Sequence, residues 1–301
     1  MKRMICLISQ QLLPNFILLN EEETRPDALH ALYTAGNAEM RRRWEALQRV
    51  TKRLFPKIHL EEVKLQDAYD MQETERACCD LLEKHPEDEW SLNATCGTKL
   101  MSAVAMDVFR QHERPSYYVE TSSRKIIRID PNRTTHKLPF KGKISLKDYF
   151  DLYDLVVNCQ GNAQNSRQER DLAEHLRELA KKLKQNQVIL DFWTNVKVRL
   201  QDNSEQLIAE YDAICIRGYQ LYVLECKEMK GKSGKEKIHK DLHKLYRTRQ
   251  EYGGPFGKTY WVFDGSEHLT EYARRIIKLY NVSLIEGVAQ VATTLERELS
   301  K

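Results

Sequence analysis

The 301-residue sequence is short of the features that would place it outside ordinary α/β proteins. It has only 12 glycines and 8 prolines, too few for a collagen-like or low-complexity chain. Its longest apolar stretches fall well below the ~18 residues a bilayer-spanning helix needs. The opening MKRMICLISQQLLPNF is basic at its start, but Ser9, Gln10 and Gln11 interrupt the apolar run. A secretory leader needs a longer one, followed by a small-residue cleavage site. The expectation is therefore a cytoplasmic protein without a membrane span. No CxxC pair occurs, and the seven cysteines (Cys6, Cys78, Cys79, Cys96, Cys159, Cys215, Cys226) are odd in number. Neither a disulfide framework nor a zinc knuckle is supported. Cys6, Cys215 and Cys226 sit in apolar runs, where a reduced thiol packs as a small hydrophobe.

What is present is a balanced globular composition, 41% apolar and 31% charged with a net charge of +4. The length is about two typical domains. Charge is uneven along the chain. Residues 1–136 carry 20 basic against 21 acidic side chains, and residues 137–301 carry 28 against 23. Between Lys227 and Lys258 the count is 10 against 4, which suits a polyanion partner and equally suits a solvated face.

The first 130 residues alternate short apolar strands with helical patterns. MICLISQ, ALHALYTAG, KIHLEEVKL, EWSLNAT and SYYVETS read as strands, with helices at about 37–54, 69–85 and 97–112. This rhythm predicts a parallel sheet covered on both faces. Ligands of such sheets bind beyond the carboxyl ends of the strands, here just after Gln10, Ala35 and Ala94. SYYVETSSRKIIRID reads as a closing hairpin. Residues 136–163, with Pro139, Gly142 and Gly161, read as a connector. The expected division is 1–135, a connector at 136–163, and 164–301. The last part reads as a helix near 165–184, strands at 188–201, 207–218 and 219–228, a helix at 236–251, a strand from Lys258, a helix at 268–279 and a final strand VSLIEG.

The chemistry concentrates in AEYDAICIRGYQLYVLECKE. With Gly218-Tyr219 as a two-residue type II′ loop, paired residue numbers sum to 437. Asp212 then opposes Glu225, and Glu210 opposes Lys227. Directly opposed Cβ atoms lie ~4.5–5.5 Å apart, where like charges destabilise. A divalent cation with a nearby lysine would offset the two carboxylates; a plain salt-bridged strand end, with Lys227 neutralising Glu210, is the other reading. On the preceding helix, Leu172, Ala173, Leu176, Leu179, Ala180 and Leu183 form one stripe, with Glu169 near its centre and Glu174 almost opposite. Glu169 either reaches the strand-end carboxylates or simply favours the positive helix N-terminus.

Asp212 followed by Glu225-Cys226-Lys227 on the next strand, after an acid-bearing helix, resembles the PD-(D/E)xK site of restriction-endonuclease-like nucleases. Tyr211 stands where that motif has its proline. HKLYRTRQEYGGPFGKTYWV resembles the helix, Gly-Gly turn and strand following this site in the cyclic-oligoadenylate-activated nucleases of type III CRISPR systems, which carry a CARF sensor domain before the nuclease. The resemblance implies Asp212 and Glu225 as ligands of Mg²⁺ or Mn²⁺, with the backbone carbonyl of Cys226 as a third. It implies Lys227 as the group that orients or helps deprotonate the attacking water. Glu210 and Glu169 would be auxiliary acids, while His239, Lys240, His243 and Lys244 could meet nucleic-acid backbone or simply lie on the surface.

In the first half, an apolar strand runs into Asn93-Ala94-Thr95-Cys96-Gly97-Thr98-Lys99 and then a helix. Small and hydroxyl residues there leave backbone N–H groups for an anion or cap the helix. The GxxxxGK[ST] spacing of a Walker loop is missing. The segment is similar to the Asn-x-Thr-Gly-Gly-Thr-Lys stretch of CARF domains, with Cys96 replacing the first glycine and placing a thiol where it could crowd the ligand. LISQQLLPN is similar to the first CARF strand and turn. By this resemblance Ser9, Gln10, Asn15, Thr95, Gly97, Thr98 and Lys99 line a site for cyclic tetra-adenylate, between the copies of a homodimer. The whole chain would be an α/β protein, a Rossmann-like CARF domain followed by a restriction-endonuclease-like nuclease acting on DNA or RNA. A constitutive DNA-repair nuclease and a nucleotide-sensing, nucleic-acid-binding protein without catalysis are the competing functions.

Overall fold

The computed structural model describes residues 1–121, 123–159, 166–186, 188–201, 207–228, 235–248, 257–264 and 269–299. It divides into two compact units, Met1–Lys143 with Asp151–Asp154, and Ile144–Phe150 with Leu155–Lys301.

The first unit begins β1 (Lys2–Leu7), α1 (Leu13–Asn20), β2 (Ala28–Thr34), α2 (Ala38–Leu54), β3 (His59–Leu65) and α3 (Met71–Lys84). It continues through β4 (Glu89–Asn93), α4 (Lys99–Gln111), β5 (Ser116–Glu120), β6 (Lys125–Ile129) and β7 (Thr135–Pro139). The seven strands are ordered β3-β2-β1-β4-β5-β6-β7. β1 pairs in parallel with both β2 and β4, so the direction of winding reverses between β1 and β4. That is where a doubly wound sheet opens a crevice at its carboxyl edge. The apolar run of β1 follows from this central place, since Met4, Ile5, Cys6 and Leu7 are buried on both faces.

β5 and β6 form the expected hairpin, with Ser116 opposite Ile129. α1 lies outside the sequence reading. Leu13 through Leu19 are all buried, so this helix has no polar face and shows no 3.6-residue stripe. The expected connector at 136–163 is corrected over its described part. β7 completes the first sheet against β6, α5 (Leu146–Leu152) follows, and β8 (Leu155–Cys159) is the edge of the second sheet. Pro139 closes a strand, at an edge where a missing N–H costs no ladder bond. Gly161 lies outside the described residues.

The second unit continues with α6 (Arg167–Gln185), β9 (Asp191–Leu200), β10 (Leu207–Arg217), β11 (Gln220–Glu228) and α7 (Lys235–Thr248). β12 (Gly257–Asp264), α8 (Glu271–Leu279), β13 (Ser283–Glu286) and α9 (Gln290–Leu299) complete it. Its six strands run β13-β12-β11-β10-β9-β8, antiparallel from β8 to β11 and parallel from β11 to β13. One face of β10 and β11, formed by Ala213, Cys215, Tyr222, Leu224 and Cys226, packs on Leu172, Leu176, Leu179 and Leu183 of α6 and on α9. Asp212 and Glu225 belong to the other face, where Lys244 of α7 meets Glu225. No described helix is long and apolar enough to cross a membrane.

A carboxylate pair and a glycine loop as candidate sites

Gly218 adopts φ +58°, as the first loop position of a type II′ turn requires. Pairing runs from Arg217–Gln220 to Ala213–Leu224, so each pair sums to 437 as expected. The ladder ends there. Beyond it, the N–H of Cys226, two residues past Leu224, donates to Oδ2 of Asp212, one residue past Ala213, at 2.6 Å, a side-chain oxygen taking the bond that a β10 carbonyl would otherwise accept.

Glu225 is 3% exposed. Its Oε1 lies 2.9 Å from Nζ of Lys227 and 2.7 Å from Nζ of Lys244. Its Oε2 is buried and has no hydrogen-bond partner among the described residues. Burial, reinforced by the charge of Glu225, pushes the Asp212 carboxyl up to about 7; Cys226 N–H and Lys227 pull it back, and Glu169 adds to the rise. Lys227 is drawn down by burial, but Glu225, Asp241 and Asp212 outweigh this and hold its ammonium above the usual lysine value. A charged Lys227 suits stabilising negative charge or orienting water, not abstracting a proton.

The residues suit a hard divalent cation. A buried carboxylate oxygen without a partner, beside a second carboxylate, is an arrangement that a cation would satisfy. Among the described residues no three His, Cys, Asp or Glu side chains form a cage, but Mg²⁺ typically keeps several waters and takes only one or two carboxylates.

Other expected residues separate here. Glu169 is half-buried at the start of α6, its N–H bonded to Oγ of the N-cap Ser166, whose hydroxyl returns a bond to Oε1 of Glu169 at 3.1 Å. Glu174 is exposed. Glu210 corrects the register expectation: it lies opposite Lys197 of β9, with its carboxylate 3.8 Å from that ammonium and not against Lys227. Beyond the end of the β10–β11 ladder, β9 remains its paired neighbour. His239 bonds to the Tyr280 hydroxyl at 3.0 Å, and His243 and Tyr246 also pack around Tyr280. Lys240 is exposed. Gly253 and Gly254 lie outside the described residues. What sequence reasoning missed is the reach of α7 to this site, Lys244 to Glu225 at 2.7 Å and Asp241 to Lys227 at 3.8 Å. Asp241, Lys244 and Thr248 share one helix face at i, i+3 and i+7, the only local signal.

In the first unit, the turns after β1 and β4 flank the switch point. Gly97 adopts φ +82°, and a Cβ there would sit 2.8 Å from Cβ of Leu7, so glycine is required by both conformation and space. Thr98 caps α4, accepting from Met101 N–H and donating to the Ala68 carbonyl, both at 3.1 Å. The Thr95 hydroxyl accepts from Val119 N–H at 2.8 Å. Asn15 is 2% exposed and ties Leu7 to Asn93; this corrects the expectation that its side chain faces a pocket. The Cys96 thiol also points inward, donating to the Gln11 carbonyl at 3.3 Å, so it does not crowd the loop's outer side. Gln10 and Lys99 are exposed and Ser9 is half-buried. Lys99 opens α4, whose first-turn N–H groups are the ones a helix leaves unpaired.

A doubly wound unit with a glycine loop at its switch point, followed by a second α/β unit, defines the class. Residues 4–149 match the Card1 CARF domain family. Two solved structures share the fold over 99% of this chain. Can2 from Sulfobacillus thermosulfidooxidans, in complex with cyclic tetra-adenylate, has a TM-score of 0.76 and 19% identity, with 99% of its chain covered. Protein VC1899 from Vibrio cholerae has a TM-score of 0.74 and 15% identity, with 97% covered. A type III CRISPR defence DNA nuclease activated by cyclic oligoadenylate matches at 0.60 and 13% identity, over 87% of this chain and 45% of its own. No curated protein sequence matches.

Proposed function

We propose that this protein is a metal-dependent nuclease of type III CRISPR antiviral defence, cleaving DNA or RNA phosphodiesters when its CARF domain binds cyclic tetra-adenylate. The observation that carries the reading is the pairing of half-buried Asp212 with buried Glu225, whose Oε2 has no hydrogen-bond partner among the described residues and whose Oε1 lies 2.9 Å from the Lys227 ammonium. The shared fold with Can2 and with the oligoadenylate-activated DNA nuclease supports it.

Asp212, Glu225 and the Cys226 carbonyl would hold Mg²⁺ or Mn²⁺, which when bound supplies Lewis-acid polarisation and an acidified water. Lys227 presents positive charge where the cleaved phosphate gains negative charge, worth most in a site shielded from bulk water. Glu169 adds negative potential at Asp212. In the first unit, Lys99 and the first turn of α4 present cationic charge and backbone donors to an anionic ring, with Ser9 and Gln10 across the crevice. Homodimerisation around that ring, in the cytoplasm, completes the proposal.

The test is cleavage of plasmid and of single-stranded DNA and RNA, with Mn²⁺, Mg²⁺ or EDTA, with and without cyclic tetra-adenylate. Metal-dependent cleavage confined to the activated samples is expected. Equal cleavage without activator would identify a constitutive nuclease; nucleic-acid binding without cleavage would identify a sensor that only grips its target.

A further inference from the structure

Lys244 of α7 is held at several points. Its Nζ is 2.7 Å from Oε1 of Glu225 and 2.8 Å from the carbonyl oxygen of Glu210. It also lies 5.4 Å from the centre of the Tyr211 ring, within cation–π range. Tyr211 is itself fixed by a hydrogen bond to Thr248, one helical turn beyond Lys244. One ammonium is thus held by a carboxylate, a carbonyl and a ring face on β10 and β11. A lysine that merely solvates a surface has no need of three partners.

Glu225 already has Lys227 on the same oxygen. Two ammoniums on Oε1 leave Oε2 without a partner among the described residues and offset the charges of Asp212 and Glu225 before any cation arrives. A divalent ion entering beside them meets repulsion from both lysines. We propose that Lys244 is a positioning residue of the carboxylate pair: it pins Oε1 of Glu225 and lowers divalent-cation affinity until a phosphodiester brings further negative charge. The inference rests on the metal reading above and adds to it a coupling between cation and nucleic acid. Ligands that each supply the charge the other needs tighten one another's equilibrium binding reciprocally.

The experiment is a Mn²⁺ titration of the full chain, followed by electron paramagnetic resonance, on wild type, Lys244→Met, Lys244→Gln and Asp212→Asn. Melting in EDTA is recorded alongside. A unit charge a few ångströms from a divalent ion changes its affinity about tenfold even when solvent screens the pair. Lys244→Met is expected to bind Mn²⁺ about tenfold more tightly and to melt lower in EDTA. Lys244→Gln, which keeps a donor for the Glu210 carbonyl, is expected to show the same tightening with a smaller loss of stability. A purely structural lysine would lower the melting temperature without raising affinity. Unchanged or weaker Mn²⁺ binding in a folded Lys244 variant overturns the proposal. Wild-type Mn²⁺ binding that Asp212→Asn abolishes keeps the metal reading standing in that event. Absence of Mn²⁺ binding by wild type overturns both.

Discussion

The N–H of Cys226 donates to Oδ2 of Asp212 across 2.6 Å, just beyond the last ladder pair of β10 and β11. This bond ties one acid to the strand that carries the other, so the carboxylates are held together by the backbone despite their mutual repulsion. Repulsion built into a fold is a sign of function overriding stability.

From this follows a paired outcome for the acids. Asp212→Asn, Glu225→Gln and Lys227→Ala should each reduce activated cleavage at least about a hundredfold, measured on labelled DNA and RNA. In EDTA at pH 8, Asp212→Asn should also melt higher than wild type, by the equivalent of about 1–2 kcal/mol, since a like charge beside Glu225 is gone. Full activity in the Asp212 and Glu225 variants would remove the pair from catalysis.

Glu169 and Glu174 can be separated. Glu169→Gln preserves the reciprocal cap with Ser166 while removing the charge, so it should slow cleavage severalfold with little change in melting. Glu174→Gln, on the exposed side of α6, should change neither. The reverse order of effects on rate would show that the wrong acid was chosen.

At the loop after β4, affinity and folding should respond to different residues. Lys99→Ala should weaken cyclic tetra-adenylate binding by about 1.5–3 kcal/mol, more than tenfold, with activity recovered at saturating activator. Calorimetry and a cleavage titration measure the two separately. Gly97→Ala should instead destabilise the unit by about 1–3 kcal/mol, because the new Cβ meets Leu7 at 2.8 Å. Half-activation unchanged in Lys99→Ala would exclude the loop from ligand contact.

A pH dependence of stability sits at His30 in β2. Its Nε2 is 3.3 Å from Nη1 of Arg3, Nδ1 is 3.5 Å from Glu61, and the Trp90 ring packs beside it. Burial pulls the imidazole down to about 4; Glu61 opposes this, while Arg3, His85 and Lys84 reinforce it. The unfolded chain therefore binds the proton first, and stability falls as pH drops from about 6.5 towards 4. Urea denaturation should show wild type losing about 2 kcal/mol relative to His30→Gln between pH 7.5 and pH 5. Parallel curves for the two proteins would place the titration elsewhere.

The sequence made legible what local patterning controls. The βαβ rhythm, the glycine loop after β4 and the hairpin register down to Ala213–Leu224 all follow from periodicity and turn chemistry. α1 was hidden because a helix buried on every side carries no stripe. Glu210 was misplaced because the register argument assumed that β10 and β11 pair to their ends, whereas β9 holds its carboxylate. Thr95 and Thr98 carry hydroxyls that serve a ligand or a cap equally well on paper; the fold uses both internally. Lys244 was assigned to solvent or phosphate because its contact with Glu225 depends on where α7 packs, which no local pattern encodes.

The path of the chain between the two units has an evolutionary consequence. Residues 144–150 belong to the second unit, 151–154 return to the first, and the second resumes at 155. The returning segment is anchored: Asp151 pairs with Arg53, Asp154 with Arg49, and the Tyr153 carbonyl accepts from Arg43. A gene fusion that joined a different effector at Lys143 would deprive three arginines of α2 of these acceptors. Exchange of the second unit would therefore have to carry the 144–154 segment with it or supply a replacement, which makes this boundary part of the first unit's packing and not a neutral linker.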